Sequence, residues 1–144
     1  MKIISQTNQQ TINIGKKIAS QLKGGEVLAL SGDLGAGKTT LTKGLALGLG
    51  IKKVVISPTF LLLRLYKINN KKTKIKYLVH IDCYRLKSAD ELIDIGADEY
   101  FNRPDTVVVI EWPERVKKIL PKKTIKISLK VKNNQSRSVE ISHF

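Results

Sequence analysis

Residues 32 to 39 read Gly32-Asp33-Leu34-Gly35-Ala36-Gly37-Lys38-Thr39. The run is a complete G-x-x-x-x-G-K-T pattern, and its chemistry is that of a loop wrapped around phosphates. Glycines at 32, 35 and 37 let the backbone approach a ligand where a Cβ would block it. The loop's N–H groups then face phosphate oxygens, and the following helix N-terminus adds partial positive charge. Lys38 supplies a point charge for the β- and γ-phosphates, and the Thr39 hydroxyl suits Mg²⁺. The flanks agree with this reading. Val27-Leu28-Ala29-Leu30 is a short apolar run of buried-strand type, and Thr40 to Leu49 reads as a helix stopped by Gly50. A nucleoside triphosphate and a divalent cation are therefore the expected ligands.

A phosphate loop needs an acid at the end of another strand to complete the metal shell. Val107-Val108-Val109-Ile110 runs into Glu111, which the strand would carry to the carboxyl edge of a sheet, where ligands bind in such folds. His80-Ile81-Asp82 ends a second strand-like run. Asp82 could orient an attacking water, act as base, join the outer shell of the metal, or cap the Tyr84-Arg85-Leu86 segment. His80 reads as a packed strand histidine, and Trp112 as either a stacking platform or core filling. Ser57-Pro58-Thr59-Phe60 breaks an apolar run, and the Thr59 hydroxyl is either a γ-phosphate sensor of switch-loop type or part of a bare turn.

The remaining pattern gives the architecture. Ile3-Ile4 starts a short strand, and Ile12, Ile14, Ile18, Ala19 and Leu22 recur at helical spacing over 8–23. Residues 60–68 and 75–81 read as strands joined by an Asn69-Asn70-Lys71-Lys72 hairpin turn. Ser88 with Glu91 has capping-box spacing for a helix that Gly96 ends. A short helix over 114–120 follows Trp112-Pro113. Ile125, Ile127, Leu129 and Val131 alternate with lysines, and a turn at 133–136 leads into 138–142. The expectation is one domain, 1–144: a three-layer α/β fold of P-loop NTPase type with a mixed, largely parallel sheet and a C-terminal antiparallel hairpin.

Composition sets the bounds. Of 144 residues, 42% are hydrophobic and 26% charged, ordinary for a globular chain that builds its own core. A single cysteine, Cys83, excludes an internal disulfide framework and a cysteine-rich zinc site. The start carries no signal-like apolar stretch and no run is long enough for a membrane span, so cytoplasm is the expected location. The formal charge of +14 comes mostly from lysine pairs spread over different elements. Scatter of this kind fits a solvated surface with biased codon usage, whereas clustering would mark a nucleic-acid face.

Four segments together carry a specific resemblance. Gly32 to Thr40, Ser57-Pro58-Thr59-Phe60, His80-Ile81-Asp82-Cys83-Tyr84-Arg85-Leu86 and Glu111-Trp112-Pro113-Glu114 stand in the order and spacing of the TsaE family. Nearly the whole chain resembles these small bacterial ATPases of tRNA threonylcarbamoyladenosine biosynthesis. The resemblance implies ATP hydrolysis that resets the TsaD and TsaB proteins for repeated turnover, with tRNA reached indirectly through that complex. It implies Mg²⁺ on Thr39 and Glu111, phosphates cradled by Gly35, Ala36, Gly37, Lys38, Thr39 and Thr40, a switch-like role for Thr59, and water activation by Asp82. Cys83 stands where the family commonly has leucine, Leu61 where it has a hydroxyl, and Arg64-Leu65 where it has an acid or amide before Tyr66. The segments around Asn8 and Arg137 are the candidates for the adenine end. A small-molecule kinase and a non-hydrolysing nucleotide-gated scaffold are the alternative functions. An intrinsic NTPase without an arginine finger of its own should be slow.

Overall fold

The computed structural model describes residues 1–58, 62–133 and 135–142. Seven strands form one sheet: β1 (Lys2–Ser5), β2 (Val27–Ser31), β3 (Leu63–Lys67), β4 (Tyr77–Asp82), β5 (Thr106–Glu111), β6 (Ile125–Val131) and β7 (Arg137–Ile141). Their order is β1-β7-β6-β2-β5-β4-β3. The central four, β6-β2-β5-β4, are mutually parallel, and the outer pairs β3/β4, β6/β7 and β1/β7 are antiparallel. Parallel strands are buried on both faces, which is why β2 and β5 are nearly continuous apolar runs.

Alternation along each strand divides the core in two. Leu28, Leu30, Leu78, Val107, Val109, Ile127 and Val139 face helices α1 (Asn8–Ala19) and α2 (Lys38–Gly48). Val27, Val79, Ile81, Val108 and Ile110 face the opposite layer, built from α3 (Asp90–Asp94) and 3-10 segments at Ala97–Tyr100 and Pro113–Ile119. The result is the expected three-layer sandwich. The two large helices touch closely where their glycines meet. A Cβ on Gly44 would overlap the carbonyl oxygen of Ile12, and one on Gly48 would lie 2.6 Å from the Ala19 Cβ. This contact seats α2, and hence its N-terminal Lys38 and Thr39, over the sheet.

Several element boundaries differ from the sequence reading. The first helix ends at Ala19 rather than 23, and Thr7 caps it by accepting from the Gln10 N–H. The Ser88 capping box forms only in part: Glu91 Oε2 accepts from the N–H groups of Lys87 (2.7 Å) and Ser88 (3.4 Å). The helix starts two residues later at Asp90, because Ala89 occupies the cap and brings no acceptor. The segment after Trp112-Pro113 winds as a 3-10 helix broken at Val116. Val131 is exposed beyond the end of the apolar face, since α1 and α2 do not extend over it. The hairpin turn joining β3 and β4 is where the Asn69 to Lys72 signal put it.

Candidate functional site

The loop after β2 carries the chain into α2 through Gly37, whose φ of 105° lies in the left-handed region that favours glycine. No side chain caps α2, and its first turn holds no acidic residue. Its leading N–H groups are thus left for an anion. A cavity of about 450 Å³ opens in front of them, walled by Gly35, Gly37, Lys38, Thr39, Thr40, Ser57, Asp82 and Glu111, with Tyr84, Arg85, Trp112, Asn8 and Arg137 around its sides. Leu78, His80 and Asp82 on β4, and Val107, Val109 and Glu111 on β5, point to the α1/α2 side of the sheet by the same alternation. Asp82 and Glu111 are direct register partners. Both carboxylates therefore reach the carboxyl edge of the parallel sheet facing the phosphate loop.

Lys38 is 6% exposed. Its Nζ donates to the carbonyl oxygens of Gly32 and Asp33 (3.0 Å to the latter) and lies 4.4 Å from the Trp112 ring centroid. Burial pushes the ammonium pKa down, opposed by the negative charges of Glu111, Asp82, Glu114 and Asp33. Trp112 is held at a left-handed φ of 58°, unusual for a bulky side chain, and its ring meets Tyr84 at 5.0 Å between centroids. The indole packs against the α3-side core and also lines the cavity, a platform beneath the lysine.

Asp82 is 9% exposed and uses both oxygens. Oδ1 accepts from the Tyr84 N–H at 3.0 Å, and Oδ2 accepts from the Ser57 hydroxyl at 3.1 Å. The carboxylate thus caps the segment that follows it, one of the readings the sequence left open, and it also lines the cavity. Glu111 is 3% exposed, and its Oε1 is buried with no hydrogen-bond partner among the described residues. No three His, Cys, Asp or Glu side chains among the described residues converge on a point that could hold a metal by themselves. One or two protein oxygens facing a phosphate cradle suit Mg²⁺, which keeps several waters and shares its remaining ligands with phosphates.

A family model described as "Threonylcarbamoyl adenosine biosynthesis protein TsaE" matches residues 5–139. The chain belongs to the TsaE family. It is 42% identical over 142 residues to the tRNA threonylcarbamoyladenosine biosynthesis protein TsaE of Treponema pallidum, covering 99% of this chain and 100% of the relative. The Bacillus subtilis protein of the same description is 40% identical over 131 residues, covering 91% and 78%. Among solved structures, the crystal structure of Bacillus subtilis YdiB superposes with a TM-score of 0.78 at 34% identity, covering 96% of this chain and 82% of that one. The fold is that of a P-loop NTPase, and the TsaE family acts in tRNA threonylcarbamoyladenosine biosynthesis.

The structure gathers most of the residues singled out for a TsaE site. Gly35, Gly37, Lys38, Thr39, Thr40, Asp82 and Glu111 share one cavity wall, and Asn8 and Arg137 line the same space. Ala36 does not: its side chain is 1% exposed below the loop, and its N–H donates to the Asp33 carbonyl at 3.0 Å. Thr59 lies outside the described residues. Arg137 does more than its weak sequence signal conveyed. Its Nε donates to the Ala36 carbonyl at 3.1 Å and Nη2 to the Gly35 carbonyl at 3.5 Å, while Nη1 reaches the Gln135 carbonyl at 3.3 Å. The guanidinium braces the phosphate loop through these carbonyls. No local motif marks this contact, because the partners are separated by 101 residues. No helix among the described residues is long and apolar enough to cross a membrane.

Proposed function

We propose that this chain is a single-domain, cytoplasmic, Mg²⁺-dependent ATPase that works on the TsaD and TsaB proteins. Its nucleotide cycle resets their complex between rounds of tRNA threonylcarbamoyl transfer, and tRNA is reached through that complex. The observation that carries the reading is the convergence of the uncapped α2 N-terminus, Lys38, Asp82 and Glu111 on one cavity.

The chain's own groups divide the work. The loop N–H groups and the α2 N-terminus bind the phosphates, and Gly35 and Gly37 admit them at close range. Lys38 leaves the carbonyls of Gly32 and Asp33 and turns to the β- and γ-phosphates, a charge-assisted exchange. The Thr39 hydroxyl and Glu111 would hold Mg²⁺, which would neutralise charge on the phosphate oxygens. Asp82 orients the attacking water and takes up its proton as the bond from the γ-phosphorus to the ADP oxygen breaks.

Each Asp82 oxygen accepts one hydrogen bond in this state, from Tyr84 N–H and from Ser57 Oγ, and the Ser57 contact holds Oδ2 away from a free choice of water. That supports slow hydrolysis by the free protein and faster hydrolysis once a partner draws the Ser57 segment away. Phosphate release from ATP is measured for the pure protein alone and with TsaD and TsaB. Stimulation by the partners, abolished by Asp82→Ala with ATP binding retained, is the expected result. Equal fast turnover with and without partners refutes the partner dependence. Asp82→Ala without effect on turnover removes Asp82 from the chemistry, whereas ATP binding with no turnover by wild type, alone or with partners, assigns a scaffold role to the site.

A further inference from the structure

His80 sits inside the sheet, two residues before Asp82, with a side chain 0% exposed. Backbone pairing fixes it on both sides, against Arg64 of β3 and Val109 of β5. Its Nε2 lies 3.4 Å from Glu111 Oε1, and that oxygen has no hydrogen-bond partner among the described residues. A buried carboxylate oxygen without a partner is costly. His80 stands two residues before Asp82, the register partner of Glu111, so by strand alternation its side chain shares a face of the sheet with Glu111. The imidazole tautomer follows from electrostatics. A lone pair on Nε2 would face the carboxylate oxygen repulsively, whereas Nε2–H points a donor at it. At 3.4 Å the contact is long for a hydrogen bond, and neither ring nitrogen has a closer partner among the described residues.

The geometry points to His80 as a positioning residue for Glu111. Its Nε2–H holds Oε1 at the back of the carboxyl group, so the other oxygen is presented to the phosphate cradle. A donor behind a metal-facing carboxylate restricts its rotation and sets its direction, which is how groups outside the immediate ligand set tune a metal site. The inference rests on the assignment of Glu111 to the Mg²⁺ side of the site. It extends that assignment to a residue that plain strand packing would explain only as an apolar filler. An apolar side chain would fill the same space without leaving two ring nitrogens in a dry interior.

The test compares ADP affinity in Mg²⁺ with affinity in EDTA, read by the fluorescence of a labelled ADP. His80→Gln keeps an amide N–H near the Nε2 position, while His80→Asn places its amide short of it, near Nδ1, and His80→Leu has no donor. The Mg²⁺-dependent gain in affinity is expected to fall about tenfold in His80→Asn and His80→Leu and to stay within about threefold of wild type in His80→Gln. Affinity in EDTA is expected to stay unchanged in all three. Adding His80→Asn to Glu111→Gln is expected to cost nothing further, because both act through one carboxylate. Thermal unfolding in EDTA identifies any variant that does not fold, and either donor-lacking variant suffices. Three results overturn the proposal: a wild-type Mg²⁺ gain in a donor-lacking variant, an equal loss in Mg²⁺ and EDTA, or no difference between His80→Gln and His80→Asn. If Glu111→Gln itself keeps the full Mg²⁺ gain, the assignment of Glu111 falls and His80 falls with it.

Discussion

Replacing Lys38 by methionine should leave the protein folded and remove most of its nucleotide affinity. In the free protein the buried ammonium has lost water, at a cost of several kcal/mol. Two carbonyl hydrogen bonds, roughly 1.5–3 kcal/mol each for a charged donor, and the Trp112 ring, roughly 0.5–2 kcal/mol, return about the same amount. Methionine fills the stem's volume without the charge, so stability should change by less than about 2 kcal/mol in either direction. Binding is different. A phosphate charge about 4 Å from the ammonium is worth roughly 4 kcal/mol at an effective dielectric of about 20. The two carbonyl hydrogen bonds are exchanged for hydrogen bonds to phosphate oxygens and roughly cancel, and giving up the indole contact takes back about 1 kcal/mol. The remaining ~3 kcal/mol corresponds to roughly a hundredfold weaker ADP binding. Urea unfolding gives the first number and titration with labelled ADP the second. Trp112 is the single tryptophan, so its emission should also shift when ADP draws the lysine off its ring in wild type, and not in Lys38→Met. A loss of stability well above 2 kcal/mol, or ADP affinity within threefold of wild type, would refute this account of Lys38.

Gly44→Ala should destabilise the protein by roughly 1–3 kcal/mol, because overlap with the Ile12 carbonyl outweighs the intrinsic helix gain of alanine; a thermal melt that rises instead would show that α1 and α2 can separate freely. Burial pushes the Cys83 thiol up to about 12 from an ordinary value of 9.0, with the Asp82, Glu114 and Glu111 charges adding to it. The folded state therefore keeps a proton that the unfolded chain releases, so this group's contribution is whole below about pH 9 and is lost as pH rises towards 12. Between pH 8 and 10 wild type should lose about 1.4 kcal/mol more stability than Cys83→Ala, measured by urea unfolding at each pH; identical pH slopes would sink the idea.

What the chain discloses about itself depends on how far apart the cooperating residues are. The phosphate loop is legible because eight consecutive residues carry both the geometry and the charge. β2 and β5 are legible because double burial demands uninterrupted apolar runs, and Glu111 and Asp82 because each ends such a run. The α1/α2 contact is not legible: Gly15 and Gly44 look like weak helix positions until the two backbones are seen to touch. The His80–Glu111 pairing depends on a register offset between two strands, and the Arg137 brace on a strand at the far end of the chain. The start of α3 was misplaced because Glu91 caps from inside the helix while the preceding serine stays outside it.

The Arg137 brace also imposes an order in time. The phosphate loop leaves the ribosome early, together with the helix it opens. The guanidinium that grips its Ala36 carbonyl is added 101 residues later, on the strand that completes the sheet between β6 and β1. A growing chain therefore displays the nucleotide-binding signature long before it can hold that loop in shape. The brace arrives with the last strand, so a chain truncated before Arg137 carries the motif without the contact that holds the loop.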